Sequence, residues 1–168
     1  IIAAVGIWSA IVGLGSQTAE AGSGEVASVA VLPFKDLSPT ADRGYFADGL
    51  SEEILDVLRG VDGLSTASRT SSFAYRNRED LTAREIAQAL GVGHVLEGSV
   101  RMDDRRVRVR VSLIDARSDR PTWSRDYERE LSVESVFRLE DEIAERVVSE
   151  LRTSLGIKLG RHDARERD

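Results

Sequence analysis

HVLEGSVRMDDRRVRVRVSLIDARSDRPTWSRDYEREL, residues 94–131, decides how this chain folds. The stretch predicts three consecutive antiparallel strands. Val107, Val109, Val111 and Leu113 alternate with Arg106, Arg108, Arg110 and Ser112, the period of a strand with one buried face. Ahead of them Leu96, Gly98, Val100 and Met102 alternate with Glu97, Ser99 and Arg101. Asp103-Asp104 joins the two runs as a turn-compatible pair. After a break at residues 116–121, a third run sets Trp123 and Tyr127 on one face and Ser124, Asp126 and Glu128 on the other.

Matching the faces predicts a register. Arg101 opposite Arg106 puts Val100 beside Val107 and Glu97 beside Arg110, while Arg110 meets Asp126 and Arg108 meets Glu128. A slip of one residue would set apolar positions opposite charged ones. The register bears on function. An open stripe of Arg106, Arg108 and Arg110 could hold phosphate or a partner, with Glu97 and Glu128 on the same face. Acids opposite the bases favour a face neutralised by cross-strand pairs instead. Arg125 falls on the inward side beside the aromatics, which suits an edge strand protected against mispairing.

The whole chain sets wider bounds. Its 168 residues are 41% hydrophobic and 31% charged, with three prolines, enough for one domain with a real core and short appendages. A net charge of −6 argues against nucleic acid as the main partner, because such domains carry a basic footprint. There is no cysteine, which excludes thiol catalysis, thiolate metal sites and disulfides.

Residues 1–14 are uncharged and almost wholly apolar. They are expected to be part of a membrane-spanning helix, which needs about 20 such residues, or a signal-type segment, since Ala19-Glu20-Ala21 fits a cleavage pattern. Residues 15–25 form a Gly, Ser and Ala linker. No Lys or Arg occurs between Gly15 and Phe34, so this flank is expected outside the cytoplasm. The domain proper is expected at 26–157, followed by a charged tail or linker at 158–168.

Within that domain Ser28–Phe34 is a continuous apolar run, the mark of a strand buried on both faces. Phe46, Leu50, Ile54, Val57 and Leu58 make the stripe of a helix over residues 45–60. Residues 64–68 form a short strand, and residues 69–78 an irregular or briefly helical connector. Thr82 and Glu85 form a capping box for a helix that Gly91 ends. Residues 135–155 are the longest helix, with Val136, Phe137, Ile143, Ala144, Val147, Val148, Leu151 and Leu155 on its apolar face and Glu142 four residues before Arg146. The order is βαβαβββα: an α+β fold with a mixed five-stranded sheet and helices packed mainly on one face.

Six stretches in series carry a family resemblance: VAVLPFKDLSP, YFADGLSEEILDVL, LSTASRTSSFAYR, EIAQALGVGHVLEGSV, RVRVRVSLIDA and WSRDYERELSVESVFRLEDEIAERVVSEL. Together they cover nearly all of residues 29–151. The chain resembles the TolB-like amino-terminal domain of bacterial membrane-anchored regulators, whose fold is similar to the amino-terminal domain of TolB. The resemblance implies a non-catalytic sensory or interaction domain between a membrane helix and tetratricopeptide repeats, with a winged-helix domain, an adenylate cyclase or a kinase ahead of the helix. It implies signal transduction through protein–protein contacts, inner-membrane anchoring and a periplasmic position. A cleaved periplasmic envelope protein is the alternative. The resemblance carries over no catalytic residue and no cofactor. Two departures, the short Asp103-Asp104 turn and Arg125 where an acid is common, touch surface specificity alone.

Other chemistry is weakly supported. His94 lies at a strand start, His162 in the tail, and no nucleophile motif accompanies either. Gly91-Val92-Gly93 precedes a strand, whereas a phosphate-cradling loop opens a helix. Trp123 beside Tyr127 at strand spacing reads as core.

Overall fold

In a computed structural model of the chain, residues 26–39, 44–131 and 136–157 are described. The apolar run begins the sheet as β1 (Ala27–Val31), where Val29, Ala30 and Val31 are fully buried. Pro33 cannot donate a ladder hydrogen bond, and the chain leaves the sheet there. It rejoins as β2 (Lys35–Asp36), pairing in parallel with Ser99 and Val100. Sequence alone did not separate these two residues from the loop, so the predicted five strands are six among the described residues.

Helix α1 (Gly44–Arg59) buries Phe46, Leu50, Ile54 and Leu58 of the predicted stripe together with Ala47 and Leu55, and Val57 is partly buried. Its buried Ser51 hydroxyl accepts the Phe34 N–H at 2.9 Å and donates to the Ala47 carbonyl at 2.7 Å. That pair satisfies the amide left free where the strand is interrupted. Then come β3 (Leu64–Thr66), the short helix α2 (Arg69–Phe73), and α3 (Ala83–Leu90). The Thr82–Glu85 capping box forms with both reciprocal bonds, and Gly91 ends α3 at φ 66°, a left-handed conformation natural to glycine. The meander is β4 (His94–Met102), β5 (Arg106–Asp115) and β6 (Arg120–Glu130), and α4 (Val136–Ser154) is the last element among the described residues.

The sheet order is β3-β1-β4-β5-β6, with β2 beside β4. β1 pairs in parallel with β3 and β4, whereas the meander is antiparallel. Helices α1 and α4 cover one face, over Val29, Val31, Leu96, Val100 and the inward residues of β5. Ile86 and Ala87 of α3 pack on the other face against Val95 and Ile114, so cover there stops near the start of β4.

Gly98 solves a packing conflict in β4. A Cβ there would lie 2.6 Å from the Phe34 ring and 2.8 Å from the Arg110 carbonyl oxygen. Only glycine lets the ring lie against the strand. In α4, Ile143, Ala144, Val147, Val148 and Leu151 of the predicted stripe are buried, and Leu139, outside it, is buried with them. Leu155 is partly buried, and the side chains of Val136 and Phe137 lie outside the described residues. Glu142 does not pair with Arg146 along the helix. It takes Arg129 of β6, at 2.9 and 3.0 Å, which ties helix to sheet edge. The expected membrane or signal segment at 1–14, the linker at 15–25 and the tail at 158–168 with His162 lie outside the described residues. Among the described residues no helix is long and apolar enough to cross a membrane.

Candidate functional site

Strands β4, β5 and β6 leave one face open, because α1 and α4 occupy the other. The period of two delivers Arg106, Arg108 and Arg110 to that open face, and all three are exposed. Across β6 they meet acids in the expected register: Arg106 opposite Glu130, Arg108 opposite Glu128, Arg110 opposite Asp126. Arg110 holds Asp126 through two parallel bonds of 2.8 and 2.9 Å, the bidentate geometry at which a guanidinium excels. Glu128 is shared. Arg108 Nη2 reaches its Oε2 at 2.9 Å and Arg106 Nη1 its Oε1 at 3.1 Å. The hydrogen bonds from Arg110 and Arg108 hold the Asp126 and Glu128 carboxyls below the usual carboxylate range.

The β4–β5 register differs from expectation. Arg101 faces Arg108, Ser99 faces Arg110, and Glu97 faces Ser112, so Glu97 is not the cross-strand partner of Arg110. The turn explains the shift. Asp103 Oδ1 accepts the N–H groups of both Arg105 and Arg106 at 2.8 Å, and the Asp103 N–H donates to the Arg106 carbonyl. An aspartate that caps its own turn moves the tip to Asp104-Arg105 and slides β5 along by two residues. A two-residue slide keeps every side chain on its face, so the apolar pattern alone does not resist it.

Glu97 is brought to another feature. A groove of about 930 Å³ runs between the segment 32–37, the turn at 75–79, the first turn of α3 and the sheet residues Glu97, Ser99, Arg110 and Ser112. Its rim is laced by ion pairs: Lys35–Glu79 at 2.8 Å and Arg76–Asp48 at 2.7 Å. Arg78 holds Asp80 through bonds of 2.8 and 2.9 Å. Sequence reasoning missed the groove because its walls come from segments dozens of residues apart. The local signal was Tyr75, two residues after Phe73 in a largely polar connector.

On the covered side Arg125 pairs with Glu150 of α4 at 3.0 Å and lies 6.0 Å from the Trp123 ring. Its inward position thus links edge strand to helix. His94 is a packed strand residue, with Nδ1 3.3 Å from the Ser28 carbonyl oxygen and Nε2 4.0 Å from Asp115 Oδ2. Among the described residues no cluster of three or more histidine or acid side chains is placed to hold a metal ion.

No family model matches the chain. A protein of Rhizobium meliloti (strain 1021) named "Putative adenylate cyclase 3" is 41% identical over 128 residues, which is 76% of this chain and 21% of that protein. The chain therefore spans about a fifth of the curated relative it matches. Among solved structures, lipoprotein GNA1162 from Neisseria meningitidis aligns with a TM-score of 0.53 at 16% identity, over 74% of this chain and 99% of that one. A dodecameric PelC variant from Paraburkholderia phytofirmans aligns with a TM-score of 0.51 at 20% identity, over 79% of this chain and 89% of that one. At such identities the two structures bear on the fold alone.

Proposed function

We propose that this chain is a non-catalytic sensory or interaction domain of a membrane-anchored bacterial signalling protein. It couples a protein partner or ligand outside the cytoplasm to a cytoplasmic output such as an adenylate cyclase. One observation carries the reading: the chain matches, at 41% identity, about a fifth of a much longer protein named for cyclase activity. A segment of that size fits a module accompanying an output domain. The open sheet face supports it, with Arg106, Arg108, Arg110, Glu97 and Glu128 as the partner-facing surface. Its guanidinium groups are held by Glu128 and Asp126 while Glu97 keeps, among the described residues, an unpaired carboxylate, an arrangement suited to recognition more than to proton transfer.

A second reading is a periplasmic envelope protein that acts as an interaction module. It is favoured by the Ala19-Glu20-Ala21 cleavage pattern. The coding sequence ahead of Ile1 separates the two: an output domain there supports the first, a cleavable signal peptide the second.

The non-catalytic role is tested by offering ATP, phosphoesters and peptides to the purified chain. No turnover should survive stringent purification. Turnover that persists, and disappears when a single polar residue is changed, would overturn the reading. Coupling is tested in the full-length protein, where excising residues 26–157 should change the output. An unchanged output would overturn it.

A further inference from the structure

The groove beside the arginine ladder has an uneven charge balance. Each of its basic side chains already holds a carboxylate: Lys35 with Glu79, Arg76 with Asp48, Arg78 with Asp80 and Arg110 with Asp126. Glu97 on the floor is exposed and, among the described residues, its side chain has neither ion pair nor hydrogen bond. An anion entering here would have to break an existing pair, whereas a cation finds Glu97 waiting. The same groove has an apolar wall of Leu32, Tyr75, Leu81 and Ile86. That wall is pre-formed, since the ion pairs brace the 75–79 turn and Asn77 holds it at φ 59°. Pre-formed clefts of this size, with apolar walls and few polar groups, are the usual form of a binding site.

The surface beyond the groove sets the size of the occupant. Leu37, 56% exposed, lines its mouth, and Tyr45, 60% exposed, follows Gly44 on the rim. A small amine would leave both uncovered, while a peptide segment several residues long reaches them. The chain's net charge of −6 attracts basic partners generally.

We infer that this groove binds a segment of a partner protein in which a lysine or arginine stands next to a leucine or an aromatic residue. The base sits on Glu97 and the apolar side chain lies against Tyr75 and Leu81. The inference rests on the interaction-domain reading above and names the partner's chemistry.

The test pans a random heptapeptide display library against the 168-residue chain and titrates the recovered peptides by NMR. Recovered sequences should be enriched in Lys or Arg beside Leu, Phe, Tyr or Trp, and should shift the amides of Tyr75, Gly98 and Ser99. Affinity should fall about threefold or more in Glu97→Gln, the range of an exposed charge pair, and more steeply in Ser112→Trp, which fills the floor. It should not change in Glu130→Gln, on the same face but outside the groove. If Ser112→Trp unfolds, Glu97→Gln decides alone. Absence of a basic–apolar class, peptides indifferent to Glu97→Gln, or n-butylamine competing as well as the peptide would each overturn the inference. Such a failure without turnover leaves an interaction domain using another surface, whereas turnover removes that reading itself.

Discussion

The two faces of the β4–β6 meander are built by the same strands and do opposite work. Val107, Val109, Val111 and Leu113 lie fully buried under α1 and α4, while the arginines between them stand in solvent. Burial of that kind contributes about 1.5–3 kcal/mol for each large side chain. Exposed ion pairs contribute far less and are screened by salt. The covered face therefore carries the fold, and the open face adds little to it.

The hardest blow to the covered face is a charge in it. Val147 of α4 is fully buried. Val147→Asp should cost several kcal/mol, enough to abolish the cooperative melt of a domain of ordinary stability. The exposed Glu145→Lys, nearby on the same helix, should melt as the parent does. Circular dichroism against temperature reads both. Next comes Gly98→Ala, whose methyl would meet the Phe34 ring and the Arg110 carbonyl. It should cost about 1–3 kcal/mol, the usual penalty of overpacking, and a parent-like denaturation midpoint would refute the close approach.

The faces also differ in their response to pH. At the seam of α1 and α4, burial, Asp141 and Glu53 push the Glu140 carboxyl from 4.5 to about 7. Unfolded, that group releases its proton near 4.5, and folded it keeps it until about 7. Its contribution is therefore full below the lower value and is lost as pH rises through that window. Asp126 and Glu128 have lowered values, so their stabilisation is present above the ordinary carboxylate range and is lost as pH falls. Glu140→Gln should flatten the decline in stability between about pH 4.5 and 7 and leave the acid limb untouched. A decline that persists in the variant would mean Glu140 is not its source.

The smallest effect belongs to the ladder. Arg110→Ala leaves Asp126 without its bidentate partner and should lower the denaturation midpoint slightly, with the difference vanishing in about 1 M salt, where the Debye length is near 3 Å. A large or salt-independent loss would place the ladder in the core of stability.

How much of this was legible in sequence follows the same division. Helical stripes, the capping box at Thr82 and the inward face of β5 were readable because burial imposes period and polarity on residues close in the chain. The β5–β6 pairs were readable because acids had to fall opposite bases. The β4–β5 register was misplaced by two, since alternation specifies the face and not the offset, and the deciding bond is the local cap of Asp103 on Arg105 and Arg106. β2 and the groove were hidden for another reason. Both depend on the chain between residues 32 and 37 returning to lie beside Ser99, a contact with no local pattern. Helical spacing suggested Arg146 for Glu142, yet the fold brings Arg129 closer.

The division between the faces is tested most directly by neutralising the open one without altering its shape. The chain carrying Arg106→Gln, Arg108→Gln, Arg110→Gln, Asp126→Asn and Glu128→Gln should keep its circular dichroism spectrum and unfold in one cooperative transition. Its melting temperature should lie within about 5 °C of the parent's, the shift that a small change in stability produces. A non-cooperative melt, or binding of a hydrophobic dye at ambient temperature, would show that the open face helps to hold the fold and contradict the account.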